Sequence, residues 1–287
     1  MHLRIEELLQ HLFVLRRKAK GGKILVVVAA LLLVIASVVS WRSLGISFGS
    51  IYWPALLASA GLVPALIYLT ALEYQLIANV NRLTVPIRHA VIVTVVGSIA
   101  NLLPIPGTSA VRIGDILRRD GNPADAMRAT LAAGLLWIGW ALILAGFALT
   151  LADFSVSLLF LAVGIFFLGA SGILINKESL KLWLSRGSAI EVATILVAGG
   201  RLMLVFLALD LDAPVVGILV LVAANAIASM VGIVPGGLGL REAVAALLAP
   251  LVGIEPAAAV LAVTLARVLG LCLQAPIALV LGRRSIS

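Results

Sequence analysis

The 287-residue chain has little of what soluble enzymes and secreted scaffolds are built from. Its one cysteine, Cys272, leaves no partner for an intramolecular disulfide. The three histidines, His2, His11 and His89, have no second ligand at zinc spacing, so no metal site is expected. A GxxxxGK[ST] phosphate loop is absent, which excludes an ATPase of that kind and leaves no cofactor to be expected. Charged residues make up only 12% of the total, and no stretch is polar enough to form a soluble domain.

What fills the chain is apolar. Hydrophobic residues reach 62% and mean hydropathy is +1.19, far outside soluble-domain averages. Several runs attain the roughly 20 residues needed to cross a hydrocarbon core. The expected fold class is all-α, a polytopic membrane protein with residues 24–287 forming a single transmembrane domain. About six full spans are expected on length grounds: Ile24–Trp41, Ile51–Leu72, Ala129–Ala152, Ser155–Ile175, Ala189–Leu209 and Ala257–Leu281. Residues 1–23 form a basic, amphipathic segment. Ile5, Leu8, Leu9, Leu12 and Leu15 repeat at helical spacing before a cluster from Arg16 to Lys23, which suits an interfacial helix on an anionic leaflet. The run after it is too long for a signal-peptide core and lacks a small-x-small cleavage site, so a retained anchor is expected. Trp41, Trp53 and Trp183, near run ends, read as interfacial anchors.

Two regions break the pattern. Residues 90–119 contain Asn101, Pro104, Pro106, Gly107 and Arg112; residues 214–254 contain Pro235, Gly236, Gly237 and Gly239 ahead of Arg241 and Glu242. In both, a Pro-Gly pair is followed by arginine five residues after the glycine. Helix breakers and charge at bilayer depth are costly and usually mark polar handling. Threaded as hairpins that enter and leave on one face, these regions sort the charges. Of the 21 basic residues, all but Arg42, Arg201, Arg241 and Arg267 then fall on one face, while Asp153, Asp210, Asp212 and Glu255 fall on the other. The positive-inside rule makes the basic face cytoplasmic and places both termini there. The first hairpin then enters from the cytoplasm and the second from outside, the pattern of an inverted repeat.

The breakers have distinct expected roles. Pro104 and Pro106 stop an entering helix, Gly107 permits the turn, and Thr108 or Ser109 caps a new helix whose first N–H groups suit an anion. Arg112 follows one turn in, while Arg118 and Arg119 read as meeting lipid phosphates at the interface. Arg241 and Glu242 point about 100° apart on a helix, so one would face a ligand while the other orients a partner. Arg201 and Arg267 lie in apolar runs, each costing roughly 2.5–3.5 kcal/mol at a helix centre. Glu191 reads as an interfacial residue near a helix end. Asn225 and Gln274 read as interhelical hydrogen-bonding groups. Embedded arginine in excess of carboxylate suits an anionic headgroup, phosphate above all, because guanidinium forks bind its oxygens bidentately.

The string IVPGGLGLREA, residues 233–243, resembles the signature of the lysylphosphatidylglycerol synthase transmembrane region, or flippase-like domain family. Pro235, Gly236, Gly237, Gly239 and Glu242 match its late motif, with Arg241 at a position the family varies. Arg267 is similar to the arginine of the family's last helix. Asn101, Pro104, Gly107 and Arg112 loosely match its earlier Asn-x-x-x-Pro element. The resemblance implies lipid translocation in a prokaryotic cytoplasmic membrane, downhill or ion-coupled, without lysine transfer. It also implies a headgroup held by Arg241, Glu242, Arg267, Arg112, Arg201 and Asn101. Membrane lipids are the implied partners, with lipid- or glycan-biosynthesis enzymes as candidates; no nucleic-acid partner and no particular oligomeric state is implied. Three other readings stay open on the residues alone. These are a secondary transporter of a small soluble anion, a non-transporting partner of a lipid-modifying enzyme, and a membrane-embedded enzyme acting on lipid phosphates. The last lacks a histidine–carboxylate cluster.

Overall fold

The computed structural model describes residues 31, 34–101, 107–150, 153–230 and 239–284. The basic segment 1–23, most of the first expected span, and Pro104, Pro106, Pro235, Gly236 and Gly237 lie outside them. The described regular structure is helical, and five helices are long and apolar enough to cross a membrane. They are Trp53–Val80, Pro123–Leu149, Phe154–Ile173, Lys177–Ala208 and Pro256–Ile277, and each overlaps an expected span. The chain is a polytopic all-α membrane protein.

Local chemistry sets the helix boundaries. Helices α1 (Trp53–Gly61) and α2 (Val63–Val80) join end to end, broken at Leu62 just before Pro64, which has no N–H to donate. Helices α3 (Ile87–Ala100) and α4 (Gly107–Arg118) follow. Helix α5 (Pro123–Leu149) opens on a proline after Asn122, whose side chain accepts the N–H groups of Ala124 and Asp125. Asp153 caps α6 (Phe154–Ile173) in the same way. Helix α7 (Lys177–Leu182) runs through a π turn, Trp183–Gly187, into α8 (Ser188–Ala208). Helices α9 (Val215–Met230), α10 (Leu240–Leu248) and α11 (Pro256–Arg284) complete the order.

The π turn corrects two expectations. It turns Trp183 inward, where it is fully buried and its Nε1 donates to Ser171 Oγ at 3.0 Å, so it is no interfacial anchor. It also carries one continuous span back to Lys177, well before the expected start at Ala189. Glu191 therefore lies inside the helix, 3% exposed, rather than at its end.

Both irregular regions fold as pairs of short helices. Between α3 and α4, Gly107 abuts Ala100, a Cβ on Gly97 would lie 3.1 Å from Thr108 Cα, and His89 Nε2 meets Asp115 Oδ1 at 2.9 Å. These pairings move apart along the chain in step, so the helices are antiparallel. Asn101 closes the turn: its Nδ2 donates to Thr108 Oγ1 at 2.7 Å, and its Oδ1 accepts the Thr108 N–H at 2.8 Å. The cap expected from Thr108 or Ser109 thus comes from Asn101, because α4 starts at Gly107 and places both in its first turn. Helices α9 and α10 pack likewise, with the Gly217 end of α9 against Val252 and Ile254 beyond α10. Gly239 precedes α10 at φ +79°, a conformation a side chain would strain.

Helix α5 relates the two pairs. Its 27 residues extend roughly 40 Å at 1.5 Å per residue. Its amino-terminal half, Ala126 to Leu136, packs in one apolar cluster with Tyr74, Ile77, Ile116 and Trp183. Its carboxy-terminal half, Ile138 to Leu149, packs in another with Phe206, Leu221, Ala224 and Ala262. The α3–α4 pair therefore sits towards one end of α5 and α9–α10 towards the other. Small residues fix α6 beside α5: a Cβ on Gly139 would lie 3.0 Å from the Gly164 oxygen, and one on Gly164 would lie 2.9 Å from the Gly139 oxygen. Ser157 and Ser171 donate across this seam to the Gly146 and Ala132 carbonyls, each at 2.8 Å.

Backbone contact at Gly107 leaves no room for a methyl group, whereas Gly134 of α5 has open space. Gly107→Ala should cost about 1–3 kcal/mol by overpacking. Gly134→Ala should gain roughly 0.5–1 kcal/mol by helix propensity. Thermal unfolding of both variants in detergent checks the opposite signs.

Candidate functional site

A partly open cavity of about 260 Å³ lies where the two helix pairs come together. Ser98 and Asn101 reach it from the α3–α4 turn, and Asn225 and Arg241 from α9 and α10. Arg201 enters from α8, and Arg267 and Gln274 from α11. Leu221, Val222, Val263 and Leu271 form its apolar wall, and no carboxylate is among its lining residues. Four of the residues singled out in the sequence, Asn101, Arg201, Arg241 and Arg267, thus share one space.

Each arginine is held differently. Arg267 Nη1 donates to Glu242 Oε1 at 3.2 Å, with the arginine side chain 12% exposed and the glutamate 3%. The 100° offset between neighbours sends Glu242 across to α11 while Arg241 lines the cavity. Arg241 itself makes no side-chain hydrogen bond or ion pair among the described residues, and its Nε is buried without a partner. Arg201 is satisfied by carbonyls instead: Nε donates to Ser59 O at 3.1 Å and Nη2 to Ala266 O at 2.8 Å. The Ser59 carbonyl, in the last turn of α1, accepts the Leu62 N–H at 3.3 Å as well and so serves two donors. Arg201 so ties α1, α8 and α11 together at the cavity wall.

Arg112 is placed elsewhere. Glu73 of α2 binds it bidentately, with Nη1 to Oε1 at 3.1 Å and Nη2 to Oε2 at 2.8 Å, and Nη2 also donates to Thr70 O at 3.4 Å. It is not among the lining residues of the cavity. The shared five-residue spacing hides a different position in each helix. Gly107 already opens α4, so Arg112 lies more than a turn inside it, whereas α10 opens at Leu240 and keeps Arg241 in its first turn. Glu73 escaped the sequence reading because the apolar run was ended at Leu72, the residue before it, although the helix continues to Val80. A glutamate directly after an apolar run, with no turn residue beside it, was the available signal.

Two polar residues also differ from expectation. Asn225 and Gln274 make no side-chain hydrogen bonds among the described residues and line the cavity.

Removing one member of a buried ion pair strands the other charge at about 3–5 kcal/mol. Glu242→Ala should destabilise the protein by up to about that amount, because Arg267 loses its carboxylate. Glu242→Ala combined with Arg267→Met should cost clearly less than the two single losses added together. Chemical denaturation in a double-mutant cycle measures the difference.

Among the described residues no group of three or more histidine, cysteine or acidic side chains could hold a metal ion. No curated protein matches the chain. The α3–α4 pair lies outside the one segment with a family match, whereas Arg201, Arg241, Glu242 and Arg267 all lie within it. That segment, residues 176–278, matches the family model of the lysylphosphatidylglycerol synthase TM region.

Proposed function

We propose that the protein moves an anionic, phosphate-bearing lipid, with a glycan- or aminoacyl-linked headgroup, between the leaflets of a prokaryotic cytoplasmic membrane. The carrying observation is the cavity itself: three arginines line it without a carboxylate, and Arg241 has no side-chain partner among the described residues. A buried guanidinium left open in this way is satisfied by an anion that brings oxygens in pairs. The fold and the family match are consistent with a lipid-translocating membrane protein.

In this reading Arg241 and Arg267 take the phosphate, while Asn101, Asn225 and Gln274 donate to its ester or headgroup oxygens. Val222, Val263 and Leu271 accept the glycerol and first methylenes, so the polar end is held while the tails stay in lipid. Glu242 acts on Arg267 and not on the ligand. Arg201 keeps the wall closed and offers its remaining donor edge. Arg112 supports the first hairpin through Glu73.

The two helix pairs are re-entrant hairpins dipping from opposite faces, related as an inverted repeat, with both termini cytoplasmic. Three observations support this. Helix α3, of 14 residues, is roughly 21 Å long, short of a hydrocarbon core of about 30 Å. The pairs pack on opposite halves of α5. Each contributes residues near its turn to one cavity.

The test is lipid equilibration in liposomes that carry the full chain. A labelled anionic phospholipid should cross faster than in empty vesicles, and a neutral glycolipid should not. Arg241→Ala and Arg267→Ala should each slow it about ten- to hundredfold, the worth of a charge-assisted hydrogen bond. Rates equal to those of empty vesicles, or uptake of free phosphate that lipid does not compete against, would overturn the lipid reading.

A further inference from the structure

A second buried polar cluster lies away from the cavity, beside the first hairpin. The bidentate bond from Glu73 already balances the charge of Arg112. Glu191 of α8 is within electrostatic reach of the same pair, and Glu73 and Arg112 are the charged groups that act on it. Glu191 is 3% exposed and makes no hydrogen bond or ion pair among the described residues. Two carboxyl groups therefore act on one guanidinium, one bonded to it and one through space, with Tyr74 the further group that acts on Arg112.

We infer that Glu73, Arg112 and Glu191 form a proton-binding site in which Glu191 carries one exchangeable proton. With both glutamates ionised, the cluster would keep one net negative charge in apolar surroundings. Buried carboxylates that share a site do not both ionise, and one bound proton makes the cluster neutral. A metal cation is a poor substitute, since it needs several oxygen ligands and would sit beside the guanidinium.

The surroundings supply a path and a link. One turn along α4 from Arg112, Asp115 accepts hydrogen bonds from Tyr74 and from Arg119 at 3.1 Å, and lies 2.9 Å from His89 Nε2. The His89 side chain is 35% exposed, so this chain of titratable groups leads from the surface to Tyr74, which acts on Arg112. Arg112 also rides on α4, whose first turn is bonded to Asn101 at the cavity. A headgroup that displaces the hairpin moves Arg112 relative to Glu191. Shifting the guanidinium from Glu73 towards Glu191 drives the proton off Glu191, and returning it to Glu73 restores that proton. The proton site stands on its own geometry; its coupling to transport rests on the lipid reading above.

Infrared spectroscopy of the purified full chain at neutral pH tests the site without any substrate. A carboxylic-acid carbonyl band should be present, lost in Glu191→Gln and kept in the exposed control Glu255→Gln. Glu73→Gln should also abolish it, because Arg112 then becomes free to pair with an ionised Glu191. A missing band in the parent protein, or one that persists in Glu191→Gln, would overturn the proposal. In liposomes, an imposed pH gradient should alter lipid equilibration by the parent protein and leave Glu191→Gln unresponsive. A band that behaves as expected without a gradient response would remove the coupling alone. Failure of any lipid to cross would remove the transport reading and leave the spectroscopic result intact.

Discussion

The structure depends on how a guanidinium is kept in an apolar bundle. Each buried arginine must be given oxygens or left beside a space where oxygens can come. Arg267 receives the Glu242 carboxylate, Arg112 receives Glu73, and Arg201 receives two backbone carbonyls from other helices. Each answer ties together elements distant in sequence, so the charges that are hardest to bury also specify which helices adjoin. Arg241 is the exception. It lies in a segment held by its neighbour Glu242, and its own side chain is left facing the cavity.

Backbone breaks make those answers geometrically possible. Arg201 bonds the Ser59 carbonyl in the last turn before the interruption at Leu62, and Gly239 precedes the helix whose first turn holds Arg241. Asn101 bonds across the α3–α4 turn and still reaches the cavity, so one amide both fixes the turn and lines the site. Helix breaking and ligand exposure are thus one property of the chain viewed at two scales.

Much of this was legible before any coordinates. Length and hydropathy located all five long spans, and the paired Pro-Gly breaks located both short-helix pairs. Asn101, Arg201, Arg241 and Arg267, which the sequence marks as polar groups in apolar surroundings, line one cavity. Legibility failed where a local irregularity shifted phase. The π turn at Trp183–Gly187 cannot be read from apolar periodicity, and it reversed the placement of both Trp183 and Glu191. Arg112 and Arg241 share a spacing, yet the residue at which each helix nucleates decides which cluster its side chain joins. Glu73 was hidden because a charge beside an apolar run resembles the end of a span, when its partner lies 39 residues away on another helix.

The glycine seam between α5 and α6 has a mechanical consequence. With Gly139 and Gly164 in near-backbone contact and two serines bonded across the seam, neither helix can slide or roll against the other without a clash. The pair acts as a stator. Because α5 also carries an apolar cluster on each half, both short-helix pairs bear on that stator from different ends. Any change in the cavity's shape must then be borne by the short-helix pairs and α11, as rotors turning against a fixed axle.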